Sequence, residues 1–205
     1  MSGDLVVADY RAGNLHSVEM ALHHLGAQFR FSSKAEEVAA ADRLIVPGVG
    51  EARAAMQELS ASGLDRAINR VWRAGRPLLG ICLGCQIIFD RSEERSTPCL
   101  SFLEGAVARF PAKGGLKVPH MGWNRVFQTR SHPLFDGISD GAFFYFVHSY
   151  YPIPADPQAV IGECEYGLRF AAAVARDNLA ACQFHPEKSA ESGLRLLGNF
   201  LAWKP

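Results

Sequence analysis

Arg76-Pro77-Leu78-Leu79-Gly80-Ile81-Cys82-Leu83-Gly84, followed by Gln86-Ile87-Ile88-Phe89, is the stretch on which the fold turns. Arg76–Leu79 reads as a short buried strand, and Gln86–Phe89 reads as the first turns of a helix. A cysteine flanked by glycines between strand and helix is the thiol form of a nucleophile elbow. Such a turn brings backbone close to backbone, and glycine tolerates that approach on either side. The thiol is left at a helix N-terminus, where the positive end of the dipole favours a thiolate. More than a hundred residues later stands Phe184-His185-Pro186-Glu187, a base with a carboxylate two positions on. The three side chains Cys82, His185 and Glu187 compose a candidate catalytic triad.

Working outward, strand and helix patterns alternate through the first half. Leu5–Ala8, Gln28–Phe31 and Arg43–Val46 read as strands. Leu15, Val18, Leu22 and Leu25 recur at helical spacing, with Asn14 as the cap and Gly26 as the stop. Helical stretches follow at Glu51–Leu59 and Leu64–Ala74. This order predicts an α/β fold with a mostly parallel central sheet and helices on both faces. The second half predicts an additional antiparallel strand region: runs at Ala106–Phe110, Arg125–Gln128, Phe143–Val147, Ala159–Cys164, Phe170–Arg176 and Leu179–Gln183. Asp177-Asn178 reads as a hairpin turn. Gly193–Leu201 reads as a closing helix. The polar stretch Arg91–Cys99 reads as an exposed loop. No repeat or linker interrupts the chain, so 1–205 is expected to form one domain.

Composition narrows the classes of partner. Lys+Arg and Asp+Glu number 21 each, which argues against a nucleic-acid binder and gives no electrostatic case for a membrane surface. The apolar runs are short, and Met1-Ser2-Gly3-Asp4 lacks the basic start of a secretory signal. Five cysteines form an odd set without a disulfide spacing, which fits free thiols in a reducing cytoplasm.

A Cys-His-Glu triad performs acyl transfer. Cys82 attacks a carbonyl carbon, His185 moves the proton, and Glu187 orients the ring. The tetrahedral oxyanion needs two donors. One is the backbone N–H of Leu83; the other is expected from the glycine-rich Pro47-Gly48-Val49-Gly50 turn. Other readings of the same residues exist. Cys82-Leu83-Gly84-Cys85 is also a Cys-x-x-Cys of redox type, but a redox pair requires neither the glycine-flanked turn nor the distant His-x-Glu. A zinc site lacks a second ligand pair at suitable spacing. No metal and no cofactor are called for.

Pro47–Gly50, Gly80–Gly84 with Gln86, and Gln183–Ser189 together resemble the class I (triad) glutamine amidotransferases, in matching order and over essentially the whole chain. Val118-Pro119-His120-Met121-Gly122-Trp123-Asn124, Tyr145–Tyr150 and Asp9–Asn14 are similar to the glutaminase subunits of imidazole glycerol phosphate synthases. The resemblance implies hydrolysis of glutamine to glutamate and ammonia. It also implies delivery of the ammonia to a cyclase subunit, a (β/α)₈ barrel, as a heterodimer serving histidine biosynthesis. By resemblance, Val49, Gly50 and Leu83 would form the oxyanion hole. Gly50, Gln86 and Glu94 would bind glutamine, with backbone near His148, Ser149 and Tyr150. Asn14, Met121, Trp123, Asn124 and Lys188 would face the cyclase. Alternatives within the class are glutaminase subunits of anthranilate, pyridoxal phosphate or surface-sugar synthesis. Outside it stand a lone γ-glutamyl Cys hydrolase and a non-catalytic regulator. Cys85 departs from the methionine usual in the family; a second thiol there opens a Cys82–Cys85 disulfide as a minor reading, against which stands an elbow that aims the two sulfurs apart.

Overall fold

A computed structural model describes residues 4–11, 15–111 and 116–205. Asn14, read as the first helix cap and as a partner contact, lies outside the described residues. The first half runs β1 (Leu5–Ala8), α1 (Leu15–His24), β2 (Phe29–Ser32), α2 (Ala35–Ala40), β3 (Arg43–Val46), α3 (Ala52–Ser62), α4 (Leu64–Arg73), β4 (Leu78–Ile81) and α5 (Leu83–Gln86). The second half runs β5 (Arg91–Ser92), β6 (Thr97–Pro98), β7 (Gly105–Arg109), β8 (His120–Gln128), β9 (Ala142–His148), β10 (Tyr150–Pro154), β11 (Val160–Glu165), β12 (Arg169–Arg176), β13 (Leu179–Cys182) and α6 (Ala190–Ala202).

One nine-stranded sheet has the order β2-β1-β3-β4-β13-β12-β11-β8-β9. Neighbours from β2 to β13 pair parallel; from β13 to β9 they pair antiparallel. The expected α/β architecture is therefore present, and most of the antiparallel region extends the same sheet. A second, four-stranded sheet, β10-β7-β5-β6, stands apart from it.

The inner parallel strands β1, β4 and β13 are apolar at every position because both faces are covered, while the edge strand β2 exposes Arg30. Val7, Ile45 and Ile81 pack with α1 and α6 through Leu22, Leu196, Leu197 and Phe200. Val6, Leu44, Val46 and Leu78 pack on the other side with Val38, Leu59, Leu64 and Ile68 of α2, α3 and α4. The period of two in a strand divides neighbours between the two cores.

Parallel pairing also puts the carboxyl ends of β1, β3, β4 and β13 on one edge, where Tyr10, Pro47–Gly50, Cys82 and Gln183–Glu187 emerge. Ligands of open α/β sheets bind at that edge. The expected elbow forms there: Cys82 has φ 54°, a left-handed value for a residue with a side chain. A Cβ on Gly84 would sit 1.9 Å from the Val46 carbonyl, and one on Gly80 would sit 2.7 Å from the Gly84 carbonyl. Neither position admits another residue.

Three expectations need correction. The helix after the elbow is a single turn, Leu83–Gln86, and does not continue to Phe89. The carbonyls of Ile87, Ile88 and Phe89 instead accept N–H groups from the returning Leu100–Leu103 segment, which ends the helix. So short a helix adds little dipole; the thiol's environment must come from side chains. Arg91–Cys99 is exposed at most positions, as expected, but it is not an irregular loop. It forms β5, a 3₁₀ turn and β6, with Ser92 and Thr97 each only 2% exposed. The strand expected over Arg125–Gln128 begins at His120, and β10 lay hidden in the Pro-containing run Tyr150–Pro154. The Asp177-Asn178 turn does join β12 to β13, with Asp177 at φ 53°.

Candidate active site

Strand ends bring the three candidate triad residues together. His185 follows β13 in a short 3₁₀ turn pinned to β9: its N–H donates to the Tyr145 carbonyl (2.9 Å), and the Ser189 hydroxyl donates to its carbonyl (2.6 Å). Its Nδ1 lies 2.7 Å from Glu187 Oε1, with side chains only 3% and 5% exposed. A carboxylate only accepts, so Nδ1 carries the proton and Nε2 is left for Cys82. Nε2 is buried and makes no other hydrogen bond, and neither does Glu187 Oε2. Burial opposes charge on the ring, but Cys82 and then Glu187 outweigh it and push its pKa up to about 10. The geometry suits a ring ready to hold the proton that Cys82 gives up in attack.

Beside Cys82 a cavity of about 310 Å³ is lined by Val49, Gly50, Cys82, Leu83, Gln86, Glu94, Pro119, Val147, His148, Ser149 and Tyr150. Every residue expected to bind substrate or oxyanion therefore meets at one cavity. Their side chains are partly committed. Glu94 Oε2 accepts the Ala52 N–H at the start of α3 (2.7 Å), leaving Oε1 for other work. Gln86 Nε2 donates to the Tyr150 carbonyl and to Gln183 Oε1, each at 3.1 Å, leaving its own oxygen free of those bonds. His148 turns its ring away into the core, so it can serve the cavity only through its backbone.

The expected oxyanion donors carry a complication. The Leu83 N–H already donates to the Gly48 carbonyl at 3.2 Å. Behind that peptide the Tyr10 hydroxyl donates to the Pro47 carbonyl at 2.6 Å. Gly50 takes φ +101°, open to glycine alone, and Val49 is 41% exposed. Rotating the Gly48–Val49 peptide would free Leu83 and turn the Val49 N–H inward in one movement.

Sequence reading missed two groups. Gln183 is fully buried, and its Nε2 lies 3.8 Å from Cys82 Sγ, a donor aimed at the sulfur. The signal was present: alternation past β13 puts 183 on the same side as 185. Tyr10 bears no such signal, since its partner Pro47 belongs to a distant strand end. Cys85 belongs to the core opposite that of Cys82, is fully buried, and burial pushes its thiol up. The minor reading of a disulfide with Cys82 therefore finds no support in the geometry.

Of the expected partner residues, Met121 (63% exposed) and Trp123 (53%) stand outward on β8, and Lys188 is exposed. Phe127 and Phe143 widen this apolar face. Asn124 does not share it: its amide turns inward to His120 and the Glu165 carbonyl. Among the described residues no group of three or more His, Cys, Asp or Glu is arranged to hold a metal ion. None of the described helices is long and apolar enough to cross a membrane.

The glutamine amidotransferase class-I family profile matches residues 6–203, and the chain belongs to that family of enzymes. Within it, the chain is 48% identical over 211 residues to the imidazole glycerol phosphate synthase subunit HisH of Aromatoleum aromaticum, covering 98% of this chain and 99% of the relative. The subunit HisH of Thiobacillus denitrificans is likewise 48% identical, over 100% of this chain and 93% of its own. Among solved structures, PurLQS from Thermotoga maritima superposes with a TM-score of 0.74 at 18% identity, covering 98% of this chain and 99% of that one. A structure described as glutamine amidotransferase gives 0.72 at 21% identity, covering 96% and 97%. These structural likenesses bear on the fold alone.

Proposed function

We propose that the chain is the glutaminase subunit of an imidazole glycerol phosphate synthase, one domain over 1–205, acting in the cytoplasm. It hydrolyses glutamine to glutamate and ammonia. It passes the ammonia to a (β/α)₈ cyclase, which makes imidazole glycerol phosphate and AICAR. The observation that carries this reading is the buried His185–Glu187 pair beside a strained Cys82 at the mouth of a cavity lined by Gln86 and Glu94. The 48% identity to HisH relatives supports the choice of subunit.

Cys82 Sγ attacks the side-chain carbonyl carbon of glutamine while its proton resides on His185 Nε2. The carbonyl oxygen becomes an oxyanion, held by the N–H groups of Leu83 and Val49 after the Gly48–Val49 peptide turns. His185 gives the proton to the leaving nitrogen, ammonia departs, and a thioester remains. Water, deprotonated by His185, opens the thioester; glutamate leaves and the thiol is restored. With the Gly48 carbonyl on Leu83, the hole is not assembled, so a subunit held this way hydrolyses slowly. A partner that favours the turned peptide switches it on. Ammonia released in bulk water at neutral pH is protonated and loses its nucleophilic lone pair, which is why a covered face is needed. Met121, Trp123 and Lys188 supply that face.

Glutamate release by the purified chain, alone and with a cyclase carrying its nucleotide ligand, tests the reading. Near-silence alone, strong stimulation in the complex and loss in Cys82→Ala are expected. Val49→Pro removes one oxyanion donor and should lower turnover roughly 10²–10³-fold with Cys82 intact. Full activity without the cyclase would favour a lone Cys hydrolase instead.

A further inference from the structure

Two buried histidines lie behind the cavity wall, and the triad uses neither. His120 and His148 sit opposite each other in the β8–β9 register, 3% and 5% exposed. His120 is stacked between Phe146 and Tyr166, with ring centroids at 4.8 and 4.0 Å, so its ring plane is fixed. His148 Nδ1 lies 2.8 Å from the Tyr150 carbonyl, and a carbonyl only accepts, so Nδ1 carries a proton. Burial holds both rings neutral, His148 down to about 3 and His120 to about 4. His148 Nε2 is then a lone pair, and His120 Nδ1, 2.9 Å away, must donate to it. His120 Nε2 is in turn an acceptor, met by the Asn124 amide nitrogen at 3.2 Å. That nitrogen also donates to the Glu165 carbonyl (2.9 Å), while Asn124 Oδ1 accepts the Arg125 N–H (2.8 Å), which fixes the amide's orientation.

We propose that Asn124, His120 and His148 are positioning residues for the glutamine cavity, a one-way chain of hydrogen bonds that runs from β8 to the Tyr150 carbonyl. The proposal rests on the reading of that cavity as the glutamine site. The Tyr150 carbonyl is the junction: it also accepts Gln86 Nε2, which reaches Gln183, which donates toward Cys82 Sγ. The chain thus holds the β9–β10 corner, one wall of the cavity, against the residues that touch substrate and nucleophile. Each bond constrains the next, because a donor reversed at one ring leaves two donors or two lone pairs facing each other at its neighbour. Asn124, expected on the partner face, acts inward.

Imidazole ¹⁵N–¹H correlation spectra of the wild-type chain at neutral pH read the tautomers directly, whether or not any variant folds. Both His120 and His148 are expected as neutral Nδ1–H rings; an Nε2–H ring at either position overturns the chain. Asn124→Asp places a carboxylate where a donor is required, and Asn124→Ala removes the donor. In each, checked for folding by thermal melting, the signals of both histidines should move. KM for glutamine in the cyclase complex should rise about tenfold, the effect of one lost hydrogen bond, and by more than kcat falls. Signals of His148 and a KM that stay at wild-type values overturn the proposal. So does weakened cyclase binding with KM unchanged, which would return Asn124 to the partner face. A wild-type complex inert toward glutamine overturns the cavity reading and this role with it, while the tautomers remain a separate readout of the chain.

Discussion

The parallel and antiparallel halves of the large sheet are built from the same kind of strand but do different work. From β2 to β13, strands are four residues long and wholly or largely covered, and their carboxyl ends deliver Cys82, the Pro47–Gly50 turn and the His185–Glu187 pair to one edge. From β12 to β9 they are longer, and the last pair keeps one face open, with Met121, Trp123 and Phe143 outward and His120 and His148 inward. Parallel pairing concentrates chemistry because every strand ends on the same side. Antiparallel pairing shapes a wall, because each strand shows one face to the core and the other to whatever covers it.

The sharpest way to test that division is to strike the parallel half chemically. Glu187→Gln leaves the His185 turn in place but removes the carboxylate. Turnover should fall roughly 10²–10⁴-fold, as when the orienting acid of a triad is neutralised. The His185 titration midpoint, followed by NMR, should move down from its raised value. The sign of the linked stability effect is set by that shift. A ring whose folded pKa lies near 10 stabilises the fold fully below the unfolded value of about 6.5 and loses that contribution as pH rises toward 10. Over that window, wild-type stability should decline more steeply with pH than that of Glu187→Gln in denaturant titrations. Equal slopes would mean that Glu187 does not hold the charge.

A blow to the antiparallel half should be felt in assembly first. Trp123→Ala should weaken cyclase binding by about 2 kcal/mol, the size of an aromatic anchor in an interface, as read by titration calorimetry. Unchanged affinity would leave the exposed apolar face without the role proposed for it. The smallest effect concerns the elbow itself. Cys82→Gly should be more stable than Cys82→Ala by about 1 kcal/mol, because glycine relieves the positive φ that alanine cannot. A melting comparison of the two inactive chains decides it, and alanine at or above glycine would mean that the turn is unstrained.

The two halves were also unequally legible in the residues. The elbow, the His-x-Glu and the parallel strands were readable because their signals are local: an apolar run, a glycine pair, a spacing of two. Arg91–Cys99 is exposed at most positions, as its polar composition says, but its two short strands, with Ser92 and Thr97 buried, depend on pairing that the segment itself does not announce. The helix expected over Gln86–Phe89 lost its carbonyls to Leu100–Leu103, a competition invisible in a local pattern. Trp123 is exposed as read, whereas the amide of its neighbour Asn124 turns inward because one step along a strand reverses the face.

Sequence alone determined most of the strand–helix alternation of the first half, the candidate nucleophile with its base and acid, and the family. Each of these is carried by residues close in the chain or by a motif of fixed spacing. Tertiary structure decided the rest. It turned the Gly48 carbonyl onto the Leu83 N–H, brought Gln183 to the sulfur, engaged one oxygen of Glu94 at the start of α3, and joined Asn124 to Tyr150 through two histidines. Those contacts link residues far apart in sequence, and a buried donor finds its acceptor only when packing has removed water as the alternative.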